Sequence, residues 1–429
     1  MKVATKRQSY DELMYLAMIL ITFTTFPLQK YGLGASKGIS IFPMLLYSLL
    51  NIFSGSIKIN KSFRNELIVI TAILFSSFIY GTFIYHDLRG FGFASSMWLS
   101  YIIIFFSLYI FVQNANEEKF YKFFKSIILS FKISFIFGVL EMIYFYIAHI
   151  NAISEFIQLF VRDNMYLNNQ RVQFNFGEPS ESIQIIGLLF PVIYILKKKN
   201  YKFSYSDRIS FIGLIILSAI FSKSNSFIIG LSIIGFIFFL NKQKSKKTII
   251  FLGGGILLIS IYILTIYSND IYTYANANEI RLLKLMSSPE ESLSGDFSSA
   301  TRLGLWILAI DVFTHNPFFG CGYGYFGYNF NTYIENLDPI FMTEEMIGKI
   351  GNIQQQTYSI FSSILCEAGI IGAIWLLIFL KRINFRNQIN QLYIPILLLI
   401  LIQNMYIYMP LLCTTYFILT NSKVQKYIE

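Results

Sequence analysis

The amino-acid sequence predicts an all-α, polytopic integral membrane protein with about twelve transmembrane helices and one long outward loop. Mean hydropathy is +0.56, and 55% of the 429 residues are apolar against 14% charged, where a soluble domain carries about 25% charge. Apolar runs close to the roughly 20 residues that cross about 30 Å of hydrocarbon as helix recur along the chain. The strict alternation of a membrane β-barrel is absent from it. The basic residues, finally, fall in alternate loops, as the topology of a multi-span protein requires.

Read in order, the apolar runs place spans near 13–28, 38–54, 67–84, 93–112, 126–149, 181–196, 209–222, 225–240, 248–267, 357–380, 390–408 and 410–421. The first run follows Lys2, Lys6 and Arg7, and "FPLQKYGLG" offers no small-residue cleavage site, so a retained first helix is expected. With the N-terminus cytoplasmic, 23 Lys and Arg residues fall inward and ten outward, leaving Lys132 within a helix. The richest inward loops hold Lys197, Lys198, Lys199, Lys202 and Arg208, and Lys242, Lys244, Lys246 and Lys247. Both termini are thus expected in the cytoplasm. The chain divides into spans one to nine (1–267), a long extracytoplasmic loop with an interfacial helix (268–356) and spans ten to twelve (357–429).

The net charge of +10 does not point to nucleic acid, because no basic cluster sits on a soluble domain able to read it. It points to lipid surfaces. Cys366 and Cys413 lie in apolar runs and Cys321 in a loop, so no disulfide framework is drawn. His86, His149 and His315 have no ligand spacing, and no Asp-x-Asp pair suggests a cation-bound nucleotide sugar. No metal and no cofactor is expected.

Three stretches are candidates for chemistry. In "RVQFNFGEPSESIQ" (171–184), Arg171 and Glu178 precede the sixth span, with Pro179 in the first helical turn. Helix N-termini favour anions, so Arg171 and Glu178 form either an anion site with a carboxylate or a headgroup contact and a cap. In "SATRLGLWILAIDVFTHNPFFGCGYGYFG" (299–327), Thr301 is the expected N-cap of the interfacial helix. Arg302 stands where the dipole does not favour it, and a phosphate is its natural partner, with a headgroup the alternative. Gly320, Gly322 and Gly324 suit a tight turn, and Tyr323 and Tyr325 are read either as stacking on sugar rings or as an interfacial belt. In "QQQTYSIFSSILCEAGIIGAIWLLIFL" (354–380), Glu367 lies nearly halfway into a span, as a functional carboxylate or a helix pin. Glu141 and Lys132 raise the same question, Lys132 being able to snorkel.

An outward Arg before "GEPS", then "TRLGLW" and "NPFFGCGYGYF", then "YSIFSSILCEAGIIG" together resemble the O-antigen polymerase and ligase superfamily over roughly residues 165–380. The "FSKSNSF" hairpin (221–227) is similar to that family's layout. The resemblance implies a metal-independent glycosyltransferase of the bacterial cytoplasmic (inner) membrane. Its substrates would be oligosaccharides carried on undecaprenyl pyrophosphate, joined into capsular polysaccharide or O-antigen as in Wzy-type repeat-unit polymerases. It implies Arg171 and Arg302 as pyrophosphate ligands and Glu178 as acid or base; Tyr323, Tyr325, Gln355 and Glu367 are expected as substrate contacts. Membrane lipids, a flippase and a chain-length regulator would be partners, and no nucleic acid would be.

Two departures favour a polymerase over a ligase. Ligases have a His-Asn pair where this chain has Gln355 and Gln356, and an amide cannot take a proton at neutral pH. Their hairpin often carries Ser-Arg, whereas here Ser224 is followed by Asn225, with Lys223 the nearest charge. A flippase or other transporter is the alternative from another class, although such proteins usually show two similar halves and broken helices at the midplane.

Overall fold

The computed structural model describes residues 2–24, 38–53, 61–160, 171–176, 181–222, 297–348, 350–352, 355–383, 394, 397, 400–402 and 410–428. Glu178, Pro179, most of the "FSKSNSF" hairpin, the expected spans at 225–240 and 248–267, most of that at 390–408, and the loop from 268 to 296 lie outside the described residues.

Helices account for the regular structure, and no strand occurs among the described residues. In chain order they are α1 (Lys2–Ile19), α2 (Ile41–Phe53), α3 (Lys61–Ile79), α4 (Arg89–Asn114), α5 (Glu117–Met142), α6 (Asn151–Phe160), α7 (Ser182–Lys198) and α8 (Tyr205–Phe221). Then come α9 (Phe297–His315), α10 (Phe326–Tyr333), α11 (Ile360–Lys381), α12 (Pro410–Thr420) and α13 (Ser422–Ile428). Wide π-helical turns extend α3 through Tyr80–Ile84 and α5 through Ile143–Ile147.

Four segments are long and apolar enough to cross a membrane: Phe63–Ile84, Arg89–Asn114, Glu117–Ile147 and Ile360–Lys381. They correspond to the expected spans at 67–84, 93–112, 126–149 and 357–380. Helices α2 and α12 are apolar but shorter. Side chains such as Ile68, Phe75, Leu99 and Leu377 point outward and are more than half exposed, as lipid-facing residues must be.

Polar caps mark the helix starts. Asn116 accepts from the Lys119 N–H at 2.9 Å to begin α5. Ser204 and Asp207 form a reciprocal capping box at the start of α8, which satisfies two of the amides a helix leaves open. Inside the bundle two ion pairs join neighbouring elements. Arg382 reaches Glu66 at 2.5 Å, tying the end of α11 to α3, and the Tyr101 hydroxyl donates to the other Glu66 oxygen. Lys132 meets Asp207 at 2.5 Å, so its charge is neutralised within the protein rather than drawn out to the surface.

Candidate functional site

Residues 171–176 turn inward between α5, α7 and α8. The Val172 N–H donates to Phe221 O and Arg171 Nε to Ser222 O, each at 3.0 Å. Those carbonyls belong to the C-terminal end of α8, where acceptors lack intrahelical partners and a cation is favoured. The N–H groups of Gln173 and Phe174 then converge on one Oε2 of the buried Glu141, at 2.9 and 2.8 Å. Phe174 takes a left-handed conformation (φ +60°), which costs a non-glycine residue about 1–2 kcal/mol. Its ring fills the space over Gly138, where a Cβ would come within 2.4 Å of it. Asn175 Nδ2 donates to Thr22 Oγ1 at 2.8 Å, and Thr22 exchanges a 2.7 Å hydrogen bond with Ser130.

Glu141 therefore anchors the backbone of the Arg171 loop. Replacing it with Ala would leave two buried amides without acceptors, at about 1–3 kcal/mol each, whereas Glu141→Gln keeps a carbonyl oxygen in place. Thermal unfolding in detergent should show a large loss for the Ala variant and a small one for Gln. Equal losses would mean that these two amides do not depend on the side-chain oxygen.

The sequence reading overlooked Glu181, three residues after Glu178. The Thr24 hydroxyl donates to it at 2.7 Å just before α7, so it is the described carboxylate at the entrance of that helix. The repeated Glu in "GEPSES" was the available signal.

Arg302 projects from α9 and lies over the Tyr358 ring, 4.6 Å from its centroid. One turn on, Trp306 stacks on Phe361 at 6.1 Å, continuing the seam between α9 and α11. Arg302 thus stands beside the segment entering α11. That segment is fixed by Thr357 bonded to Ser363 at 2.8 Å and by Ser359, which caps the helix through Ser362 N–H at 3.0 Å. Gln355 is nearly buried and donates its side-chain amide to Gln356 O at 2.6 Å. Thr301 does not cap α9 as expected. The helix begins at Phe297, so Thr301 lies inside it, bonded to Thr343 at 2.7 Å.

The third element is a break in α11. Gly369 adopts φ +57° and ψ −140°, so the bond that Ile370 N–H would make to Cys366 O is lost. The glycine loop supplies both missing partners. Ile370 N–H donates to Pro317 O at 2.9 Å, and Cys366 O accepts from Cys321 N–H at 2.9 Å. Just before the break, Glu367 Oε1 accepts from the N–H groups of Gly324 and Phe326, at 3.2 and 3.1 Å. The structure therefore brings Tyr323, Tyr325 and Glu367 together.

Their arrangement differs from the expected sugar platform. Tyr323 and Tyr325 are 1% and 0% exposed, because the left-handed glycines at 320, 322 and 324 fold the chain inward. The Tyr323 ring meets Trp98, and Ser77 donates to its carbonyl at 2.6 Å. Tyr325 stacks on Tyr85, donates to Asp87 O at 2.6 Å and accepts from Phe91 N–H. Neither ring has an open face for a sugar. Beside them Asp87 binds Arg89 and accepts from the Tyr328 hydroxyl, which hold its carboxyl well below the ordinary aspartate range. Their contribution is complete above a pH of about 4 and is lost only as the pH falls through that lower value.

Among the described residues no group of three His, Cys, Asp or Glu side chains is placed to hold a metal ion. Residues 210–377 match the model of a family described as O-antigen ligase. The matched range carries Arg302, the glycine loop and the broken helix, and Arg171 precedes it. This part of the chain is therefore similar to that family, consistent with the O-antigen polymerase and ligase superfamily. The match supports a membrane enzyme of that kind, acting on lipid-linked polysaccharide. No curated protein and no solved structure matches the chain.

Proposed function

We propose that this protein is a lipid-linked repeat-unit polymerase working at the outer face of a bacterial cytoplasmic membrane, with both termini inside. A sugar hydroxyl of one undecaprenyl-pyrophosphate-linked unit attacks the anomeric carbon of another glycan. The new glycosidic C–O bond forms as the bond to the pyrophosphate breaks, and undecaprenyl pyrophosphate leaves with the electron pair. Glu178 takes the proton from the attacking hydroxyl. Arg171 and Arg302 stabilise the charge that develops on the leaving group, a role suited to cations fixed before the reaction begins.

The observation carrying this reading is the way each arginine is held. Arg171 rests on the end of α8 in a loop anchored by Glu141, and Arg302 lies against Tyr358 at the entry to α11. Glu367 serves as the anchor of the glycine loop, with Tyr323 and Tyr325 as its packing. Gln355, closed onto Gln356 O, lines the approach and takes no proton, which favours polymerase over ligase.

Proteoliposomes supplied with lipid-linked repeat units should yield a ladder of lengthening glycans. Product formed only when lipid A core is added would instead identify a ligase, and movement of labelled substrate without a new glycosidic bond would identify a transporter.

A further inference from the structure

Helix α9 is apolar on two opposite faces. Leu305, Leu308, Ala309 and Val312 are buried in a small core shared with α10 and α11. Turned away from that core, Leu303, Ile307 and Ile310 recur at the i, i+4 and i+7 spacing of a single helical face, and they are 45, 38 and 55% exposed. Thr314, the next residue on this face, donates its hydroxyl back to Asp311 O at 2.8 Å, so it adds no unpaired donor to the stripe. A helix whose packed and outer faces are both apolar belongs in an apolar surrounding. Yet α9 is not among the segments long and apolar enough to cross a membrane. It needs an apolar cover along one side without spanning.

The stripe leads onto a surface that faces lipid. Beyond His315 the chain passes directly onto α11, where Ile370 N–H donates to the carbonyls of Pro317 and Phe318 at 2.9 and 3.1 Å. Phe318 and Phe319 are more than half exposed at this crossing. From it Ile370, Ile374 and Leu377 continue along the exposed side of α11, a segment able to cross a membrane.

We propose that α9 lies in one leaflet of the membrane without crossing it, its Leu303, Ile307 and Ile310 face set among the acyl chains. Helices held in this way sink their apolar face about 5–10 Å into the boundary between headgroups and hydrocarbon. Arg302, beside Leu303 in the chain, then stands near the depth of the phosphate groups. The lipid contact does not depend on what Arg302 binds.

The helix carries its own reporter. Trp306 borders the stripe and is partly exposed, whereas the other two tryptophans, Trp98 and Trp375, are fully buried. The test places the full chain in nanodiscs of phosphatidylcholine with or without bromine on the acyl chains, a contact quencher of tryptophan emission. The emission lost to brominated lipid should fall sharply in Trp306→Phe, which keeps a ring against Phe361, and should return when Ile310→Trp is added to that variant. Iodide in the surrounding water should quench Trp306 weakly. Equal losses to brominated lipid in wild type and Trp306→Phe, or Trp306 emission quenched by iodide and spared by brominated lipid, would overturn the proposal and leave this face in water. Nanodiscs holding two chains, in which neither quencher reaches Trp306, would also overturn it, because a second copy would then cover the stripe.

Discussion

Arg171→Ala and Arg302→Ala should each reduce repeat-unit polymerisation in proteoliposomes by on the order of 10³-fold, while the protein still folds and inserts. The magnitude follows from the role. A cation that meets the charge on a departing pyrophosphate acts where that charge develops, and removing such groups elsewhere costs about 10²–10⁵-fold in rate. Glu178→Gln should do less harm, since proton transfer contributes about 10²–10⁴-fold and a sugar hydroxyl retains some reactivity without it. Arg171→Lys should restore little, because an ammonium cannot reproduce the fixed donor fork of a guanidinium, which here also bonds through Nε to Ser222 O. Polymer made at the normal rate by either Ala variant would remove that arginine from the site.

The second large effect is structural. Gly369→Ala should unfold α11 from the glycine loop. The backbone conformation at this position is strained for any residue with a Cβ, at about 1–3 kcal/mol. A Cβ here would also lie 2.5 Å from Gly320 N and 2.6 Å from Pro317 O, both backbone atoms that cannot swing aside. Relief would require breaking the Ile370 to Pro317 and Cys321 to Cys366 bonds. The total loss should be on the order of 4 kcal/mol, among the largest for a single substitution. Reduced thermal stability in detergent, with faster proteolysis between Asn316 and Phe326, is the expected readout. A variant as stable as wild type would show that the break in α11 is not required.

These residues also show what the sequence made legible. The long spans α3, α4, α5 and α11 were readable because hydropathy over about twenty residues is a strong signal that needs no tertiary information. The importance of Glu367 and Glu141 was readable too, since a carboxylate within a span demands a reason. What each does was not readable. Glu141 meets Gln173 and Phe174 some thirty residues away, and Glu367 meets Gly324 and Phe326 some forty residues earlier. Nothing local specifies such pairings.

Tyr323 and Tyr325 were misread for the same reason. A glycine-aromatic alternation between two helices looks like a surface turn until Gly81, Gly90 and Gly369 are seen to have made room for it. Ala at position 81 would put its Cβ 2.0 Å from the Tyr325 hydroxyl. The error at Thr301 has another origin, because helix N-termini are set by the whole first turn and a threonine can as readily bond across to a neighbouring element.

The central claim is that Arg171 and Arg302 serve one pyrophosphate, and a double-mutant cycle tests it most directly. Polymerisation rates would be measured for wild type, Arg171→Ala, Arg302→Ala and the double variant under identical loading of lipid-linked substrate. Groups acting together on one leaving group give strongly non-additive losses, so the double variant should be little slower than either single one. Losses that multiply across the cycle would place the two guanidiniums on separate tasks and contradict a shared site.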